Sequence, residues 1–131
     1  MKIYLSVPIV GGRDLELAKI ISNVIIESKH ELVSNWVISE DPGFSFSPKY
    51  VYERDTNGVR MADIIVAEVS TPSHGVGMEI MLAITLRKRI IALARKDSQI
   101  SRMLLGAPNI EWIFYDKTEG MTRKLKEKLR S

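Results

Sequence analysis

Apolar and polar residues alternate from Lys2 to Val7 and stop at a Pro/Gly stretch, a pattern that predicts a first strand. From Asp14 to Ser28 the period changes. Leu15, Leu17, Ala18, Ile21, Val24 and Ile25 recur at helical spacing. Leu32 to Ile38 reads as a second short strand. Glu40 to Pro48 (EDPGFSFSP) is rich in turn formers and reads as a loop. Pro48 suits the first position of a helix running to about Ala62, where its missing N–H is not needed. Asp63 to Val69 is almost continuously apolar, as expected of a central parallel strand covered on both faces. Ser70 to Val76 is then a loop, Gly77 to Leu86 a helix and Arg89 to Leu93 a fourth strand. Ser98 to Leu105 predicts a short helix, Ile110 to Tyr115 a fifth strand, and a basic amphipathic helix closes the chain.

Strands and helices therefore alternate five times, without internal repeats. That order predicts an α/β fold with a doubly wound five-stranded parallel sheet. Right-handed connections favour the flavodoxin-like or Rossmann-like strand order 2-1-3-4-5. Ligands in such sheets bind beyond the carboxyl ends of the strands, where the order switches direction. Here the crevice falls between strands one and three, flanked by the loops Val7 to Arg13 and Ser70 to Glu79.

Composition narrows the chemistry. The 131 residues are 45% hydrophobic and 27% charged, which fits a single globular domain over residues 1–131. No cysteine is present, so disulfides and thiolate chemistry are excluded. The opening MKIYLSVPIV is too short in apolar length for a signal peptide, and no segment could span a bilayer, so a cytoplasmic protein without membrane contact is expected. The net charge is +3, and Arg123, Lys124, Lys126, Lys128 and Arg130 crowd the last nine positions. No aromatic residues interleave with them. We read a solvated terminal helix with cations near the negative end of its dipole, and no nucleic-acid partner. His30 and His74 lie far apart, and the carboxylates lack calcium-loop spacing, so no metal site is expected.

Three groups could carry chemistry. Glu79 follows the loop Ser73-His74-Gly75-Val76-Gly77-Met78, whose glycines let a ligand approach the backbone. Placed in the first turn of the expected helix, Glu79 would be kept ionised by the dipole, as a nucleophile or merely as a stabiliser of its own helix start. Gly11-Gly12-Arg13 is a second candidate anion loop. Arg13 either clamps a phosphate or is a solvated residue at a helix start. Asp55, in the helix before strand three, can reach the same crevice. Two carboxylates flanking a glycosidic bond are the usual equipment for glycoside hydrolysis.

The stretch Ala62 to Ile80, ADIIVAEVSTPSHGVGMEI, resembles the signature of the 2′-deoxynucleoside 5′-phosphate N-hydrolases, within the nucleoside 2-deoxyribosyltransferase superfamily. KIYLSVPIVGGR is similar to that family's first strand and glycine loop, Asp55 has its spacing to the AD-hydrophobic strand, and ISRMLLGAPN resembles the segment before its last strand. The resemblance implies cofactor-free cleavage of the bond between base and deoxyribose through a covalent deoxyribosyl-Glu79 intermediate. It makes Asp55 the carboxylate that assists base departure or positions the nucleophile, and Tyr4 a tyrosine hydrogen-bonding near it. Ser73, Gly75 and the loop Ser6, Val7, Pro8, Ile9, Val10, Gly11, Gly12 and Arg13 become the monophosphate cradle, and Trp36 a base contact. Ser101 would reach the phosphate from the partner in a homodimer, with Met103, Leu104 and Leu105 either at that contact or in the core. The first loop departs from the family pattern. Relatives carry serine where Pro8 stands and arginine where Val10 stands, and neither replacement can supply the lost phosphate contact. A deoxyribosyltransferase that passes the sugar to a second base, or a non-catalytic nucleotide-binding domain, remain alternatives, because fold alone never fixes function.

Overall fold

The structure is a computed structural model and describes residues 1–130. Its strands are β1 (Lys2–Ser6), β2 (Glu31–Leu32), β3 (Ile64–Glu68), β4 (Arg89–Arg95) and β5 (Ile110–Tyr115). Its helices are α1 (Leu15–Glu27), α2 (Pro48–Met61), α3 (His74–Thr85), α4 (Arg102–Leu105) and α5 (Thr118–Leu129), with a 3-10 helix at Asn35–Ile38. The five strands form one parallel sheet in the order β2-β1-β3-β4-β5, the expected topology.

Strand alternation divides the core in two. Ile3 and Leu5 of β1, Val66 of β3, and Ile91 and Leu93 of β4 face α1 and α5, where they meet Ile21, Ile25, Met121 and Leu125. Tyr4, Ile65, Ala67, Ile90 and Ala92 face the other way, toward Val59 of α2 and Val76 and Ile80 of α3. Successive side chains of a strand point to opposite faces, so Ser6 shares the α2/α3 face with Tyr4. This is how the sequence delivers two hydroxyls of β1 to one side of the sheet.

Four element boundaries differ from the sequence reading, each for a physical reason. The second strand is two residues long and does not run from Leu32 to Ile38. The Ser34 hydroxyl accepts from Leu5 N and donates to Leu5 O, both at 2.8 Å, and so takes the place of the next ladder bonds. The chain then turns into the 3-10 helix, which puts Trp36 there and not on a strand. Helix α3 starts at His74, three residues before the expected Gly77. Its N-cap is Ser73, whose Oγ accepts from Val76 N at 3.3 Å. Strand β4 extends to Arg95, and α4 covers only Arg102–Leu105, because Ser98 closes a turn on the Arg95 carbonyl at 2.6 Å.

The basic end of the chain forms α5, with Met121, Leu125 and Leu129 buried on one face. Two of its lysines are paired, Lys126 with Glu27 at 3.6 Å and Lys128 with Glu111 at 3.3 Å. No helix among the described residues is long and apolar enough to cross a membrane.

Candidate active site

At the carboxyl ends of β1 and β3 a cleft of about 520 Å³ opens between the first loop, the 3-10 helix, α2 and the start of α3. Tyr4, Ser6, Trp36, Asp55, Ser73, Gly75 and Glu79 all line it. Glu79 is fixed from β1. Ser6 Oγ donates to Glu79 Oε1 at 2.7 Å, and the Tyr4 hydroxyl donates to Oε2. Both carboxylate oxygens are therefore aimed by side chains rooted in a strand of the sheet, which places groups more precisely than a loop does.

The electrostatics differ from those expected for a first-turn residue. Because α3 begins at His74, Glu79 lies in the second turn, beyond the free amides that would hold it ionised. Burial, opposed by the hydrogen bonds from Tyr4 and Ser6, pushes its carboxyl up to about 7, with the charge of Asp55 adding to the rise and Arg54 opposing it. Burial also raises the carboxyl of Asp55 against the lowering influence of Arg54. The Tyr4 hydroxyl is pushed far above the ordinary tyrosine range, by burial first and then by the nearby Glu79 and Asp55 charges. Tyr4 consequently stays protonated and acts as a donor. The site holds one hydrogen-bonded carboxylate that titrates near neutrality and a second carboxylate beside it, an arrangement suited to attack and proton handling at a single centre.

Helix α2 presents Val51, Arg54, Asp55 and Gly58 at the i, i+3, i+4, i+7 spacing of one helical face. The first three line the cleft. Gly58 packs beneath it, and a Cβ there would come within 2.7 Å of Tyr4 Cε2 and 3.3 Å of Trp36 Cη2. The bare backbone leaves room for the tyrosine ring. Arg54 was not singled out from the sequence, although its guanidinium holds several parts together. Its Nε pairs with Asp55 Oδ1 at 2.8 Å, its Nη2 donates to the Pro42 carbonyl at 2.6 Å, and its Cζ lies 4.4 Å from the Trp36 ring centroid. Pro42, Gly43 and Phe44, from the turn-rich segment, also border the cleft.

The first loop is split. Val7, Ile9 and Val10 line the cleft, whereas Pro8 and Gly12 border a separate 100 Å³ pocket beside Glu68 and Ser70. Gly11 and Gly12 take left-handed backbone conformations, at φ of 70° and 80°, and a Cβ on Gly12 would meet Thr71 Cγ2 at 2.8 Å. Neither borders the cleft. Arg13 points to the 3-10 helix, where its Nη2 donates to the carbonyls of Val37 at 3.1 Å and Ser39 at 2.5 Å. Ser101 and Met103 border a second, more apolar cleft of about 410 Å³ between α3 and α4, and Met103 is 82% exposed. Ser73 and His74 belong to both clefts.

A crevice at the switch point of a doubly wound sheet, floored by one carboxylate and flanked by another, has the pair of groups that glycosidases use on a sugar bond. The molecules it resembles fit that class. Over 95% of this chain and 98% of the other, its fold matches the CMP N-glycosidase BcmB of Clostridium botulinum, with a TM-score of 0.74 at 19% identity. Over 96% and 90%, it matches a 2-deoxyribosyltransferase of Bacillus psychrosaccharolyticus, with a TM-score of 0.72 at 17% identity. Those identities show the fold alone. No family model matches the chain. In sequence, it is 33% identical to a protein of Thermofilum pendens named as a 2′-deoxynucleoside 5′-phosphate N-hydrolase, covering 95% of this chain and 92% of that one. It is 34% identical to a 5-hydroxymethyl-dUMP N-hydrolase of Tetraodon nigroviridis over 83% and 82%. The chain belongs to the 2′-deoxynucleoside 5′-phosphate N-hydrolase family, and it is an enzyme of the N-glycosidase class.

Proposed function

We propose that the protein hydrolyses the N-glycosidic bond of 2′-deoxynucleoside 5′-monophosphates, with Glu79 as nucleophile. The observation that carries this reading is the Glu79 carboxylate, held by Tyr4 and Ser6 at the floor of the cleft beside Asp55 and titrating near 7. One Glu79 oxygen attacks C1′ while the C1′–N bond breaks and its electron pair leaves with the base. Asp55 hands a proton to that base. In the second half Asp55 takes a proton from water, which attacks C1′ and frees Glu79 and 2-deoxyribose 5-phosphate. The missing 2′-hydroxyl makes the oxocarbenium-like transition state easier to reach than in a ribonucleotide. No step calls for a cofactor.

The sugar sits over Glu79, the base extends toward Trp36, and the phosphate lies at the start of α3. Ser73 and the amides of His74 and Gly75 serve it there. The first loop contributes backbone only, because Val7, Ile9 and Val10 are apolar where they meet the cleft. We also propose a homodimer. The apolar cleft bearing Ser101 and Met103 adjoins the phosphate end through Ser73 and His74, so a second copy seated there can bring its own Ser101 to that end.

The test is a panel of 2′-deoxynucleoside monophosphates, the matching nucleosides and the matching ribonucleotides, scored for free base by chromatography with and without an added acceptor base. The reading predicts base release from deoxynucleoside monophosphates foremost, without dependence on the acceptor. Base exchange in place of hydrolysis, or equal cleavage of dGMP and GMP, contradicts it.

A further inference from the structure

We infer that Arg54 recognises the departing base, and that it selects bases that leave as anions with charge on a ring carbonyl oxygen, the pyrimidine-2-one class. This rests on the N-glycosidase reading above and goes beyond it, to which base the site is built to release.

Arg54 is the only lysine or arginine among the described residues lining the cleft. Its side chain is 12% exposed, and three contacts fix the plane of the guanidinium. Nε is tied to Asp55, one Nη2 hydrogen to the Pro42 carbonyl, and the flat face lies over Trp36. No acceptor among the described residues takes the hydrogens of Nη1. A guanidinium held in this way is a pre-oriented donor edge at the Trp36 end of the cleft, where the base must lie if Glu79 is under C1′. Its permanent positive charge also lowers both carboxylates of the cleft, Asp55 and Glu79. Serving only to anchor Asp55 would require one of its contacts and would leave the Nη1 donors without a role.

The leaving-group chemistry fits that edge. When the C1′–N1 bond of a pyrimidine nucleotide breaks, the electron pair passes to N1 and delocalises onto O2, and a proton then restores the neutral base. Donors at O2 strengthen as that charge develops, so they stabilise the transition state more than the ground state. A purine leaves more readily once N7 has taken a proton, which makes the base cationic while it is still bonded to C1′ and lets it depart neutral, and a nearby guanidinium opposes that protonation. The Arg54 edge therefore favours pyrimidines.

The test compares wild type with Arg54→Gln and Arg54→Lys on dUMP, 5-fluoro-dUMP and dGMP, following kcat/KM by free-base release. Fluorine makes the departing anion intrinsically more stable, so that substrate needs less help. Arg54→Gln is expected to lose about 10- to 100-fold more on dUMP than on dGMP, with 5-fluoro-dUMP in between, over a common loss from releasing Asp55. Arg54→Lys keeps the charge but not the fork, and its losses should follow the same order at smaller size. Should the Gln variant fail to fold, the Lys variant carries the same comparison. An equal loss on all three substrates overturns the inference, because it marks Arg54 as a structural clip for Asp55 and Pro42. Release of no base from any substrate by the wild type overturns the N-glycosidase reading itself.

Discussion

Two glutamates at the carboxyl end of the sheet, Glu68 and Glu79, show how one set of contacts can serve opposite ends. Each carboxylate receives a tyrosine hydroxyl and a serine hydroxyl. Glu68, on the α1/α5 face, takes Tyr115 and Ser70, and Glu79, on the α2/α3 face, takes Tyr4 and Ser6. Glu68 also accepts the backbone N–H of Ser70 at 2.7 Å and is 4% exposed. Ser70 in turn accepts from Arg95 N at 2.8 Å, so Glu68 knits the loop after β3 to the ends of β4 and β5. Glu79 has no backbone donor, only two hydroxyls that can rotate, and it opens on a 520 Å³ cleft with Asp55 across from it. A buried carboxylate held by a main-chain amide is part of the fold. One held by side chains alone, at a cleft large enough for a nucleotide, is available for reaction.

Substitutions should separate the two. Glu79→Gln keeps the shape and removes the charge, so turnover should fall by at least about 10⁴-fold with far-ultraviolet circular dichroism unchanged. The same variant carries a stability signature. The folded-state carboxyl stands at about 7 against an ordinary 4.5, so the native state holds the proton more tightly than the unfolded chain. That contribution to stability is complete below the ordinary value and is lost as pH rises through about 7. Glu79→Gln should therefore melt a few °C above wild type at pH 8, about the shift that 1 kcal/mol gives in a small domain, with the gap closing toward pH 4. Near-normal base release by this variant, measured by chromatography, would remove Glu79 from the nucleophile role.

Asp55→Asn should cost roughly 10²-fold in kcat, the usual scale for lost proton transfer. A loss under about threefold would make Asp55 structural. Tyr4→Phe removes a hydrogen bond that lowers the Glu79 carboxyl, so the value rises further. In wild type kcat/KM should climb with pH through about 7 as Glu79 ionises. In Tyr4→Phe that limb should move to higher pH, with a loss of about tenfold below neutrality. An unshifted limb would mean that the Tyr4 bond does not set the titration. Smallest in its effect on activity, Glu68→Gln should leave kcat/KM within about threefold while lowering stability by about 1–3 kcal/mol in chemical denaturation, because buried donors lose their charged acceptor.

The order of the strands and the positions of both carboxylates were legible in the sequence, because two-residue and 3.6-residue periods mark which elements exist and in what order. What escaped depended on single side chains acting across the fold. The Ser34 hydroxyl replaces the ladder bonds after Leu32, and no local pattern shows a strand being ended from its neighbour. The 3-10 helix that results and the Ser39 that follows it supply the Val37 and Ser39 carbonyls, and these draw Arg13 away from the cleft. Two glycines at 75 and 77 obscured a helix start that Ser73 caps. Arg54 was recoverable. It sits three residues after Val51 and four before Gly58, on the face that carries Asp55, but a lone arginine in RDTNGVR reads as a solvated residue until the Trp36 ring is placed over it.

The central claim is a covalent deoxyribosyl-Glu79 intermediate, and stereochemistry at C1′ tests it most directly. Wild-type enzyme turning over a deoxynucleoside monophosphate in dilute methanol should transfer part of the sugar to methanol. The anomer of the resulting methyl deoxyriboside 5-phosphate can be assigned by NMR, because a methyl glycoside, unlike the free sugar, does not interconvert its anomers. Two successive displacements predict retention of the β configuration. A product of inverted, α configuration would mean that solvent attacks C1′ directly, with Glu79 no more than a neighbouring charge.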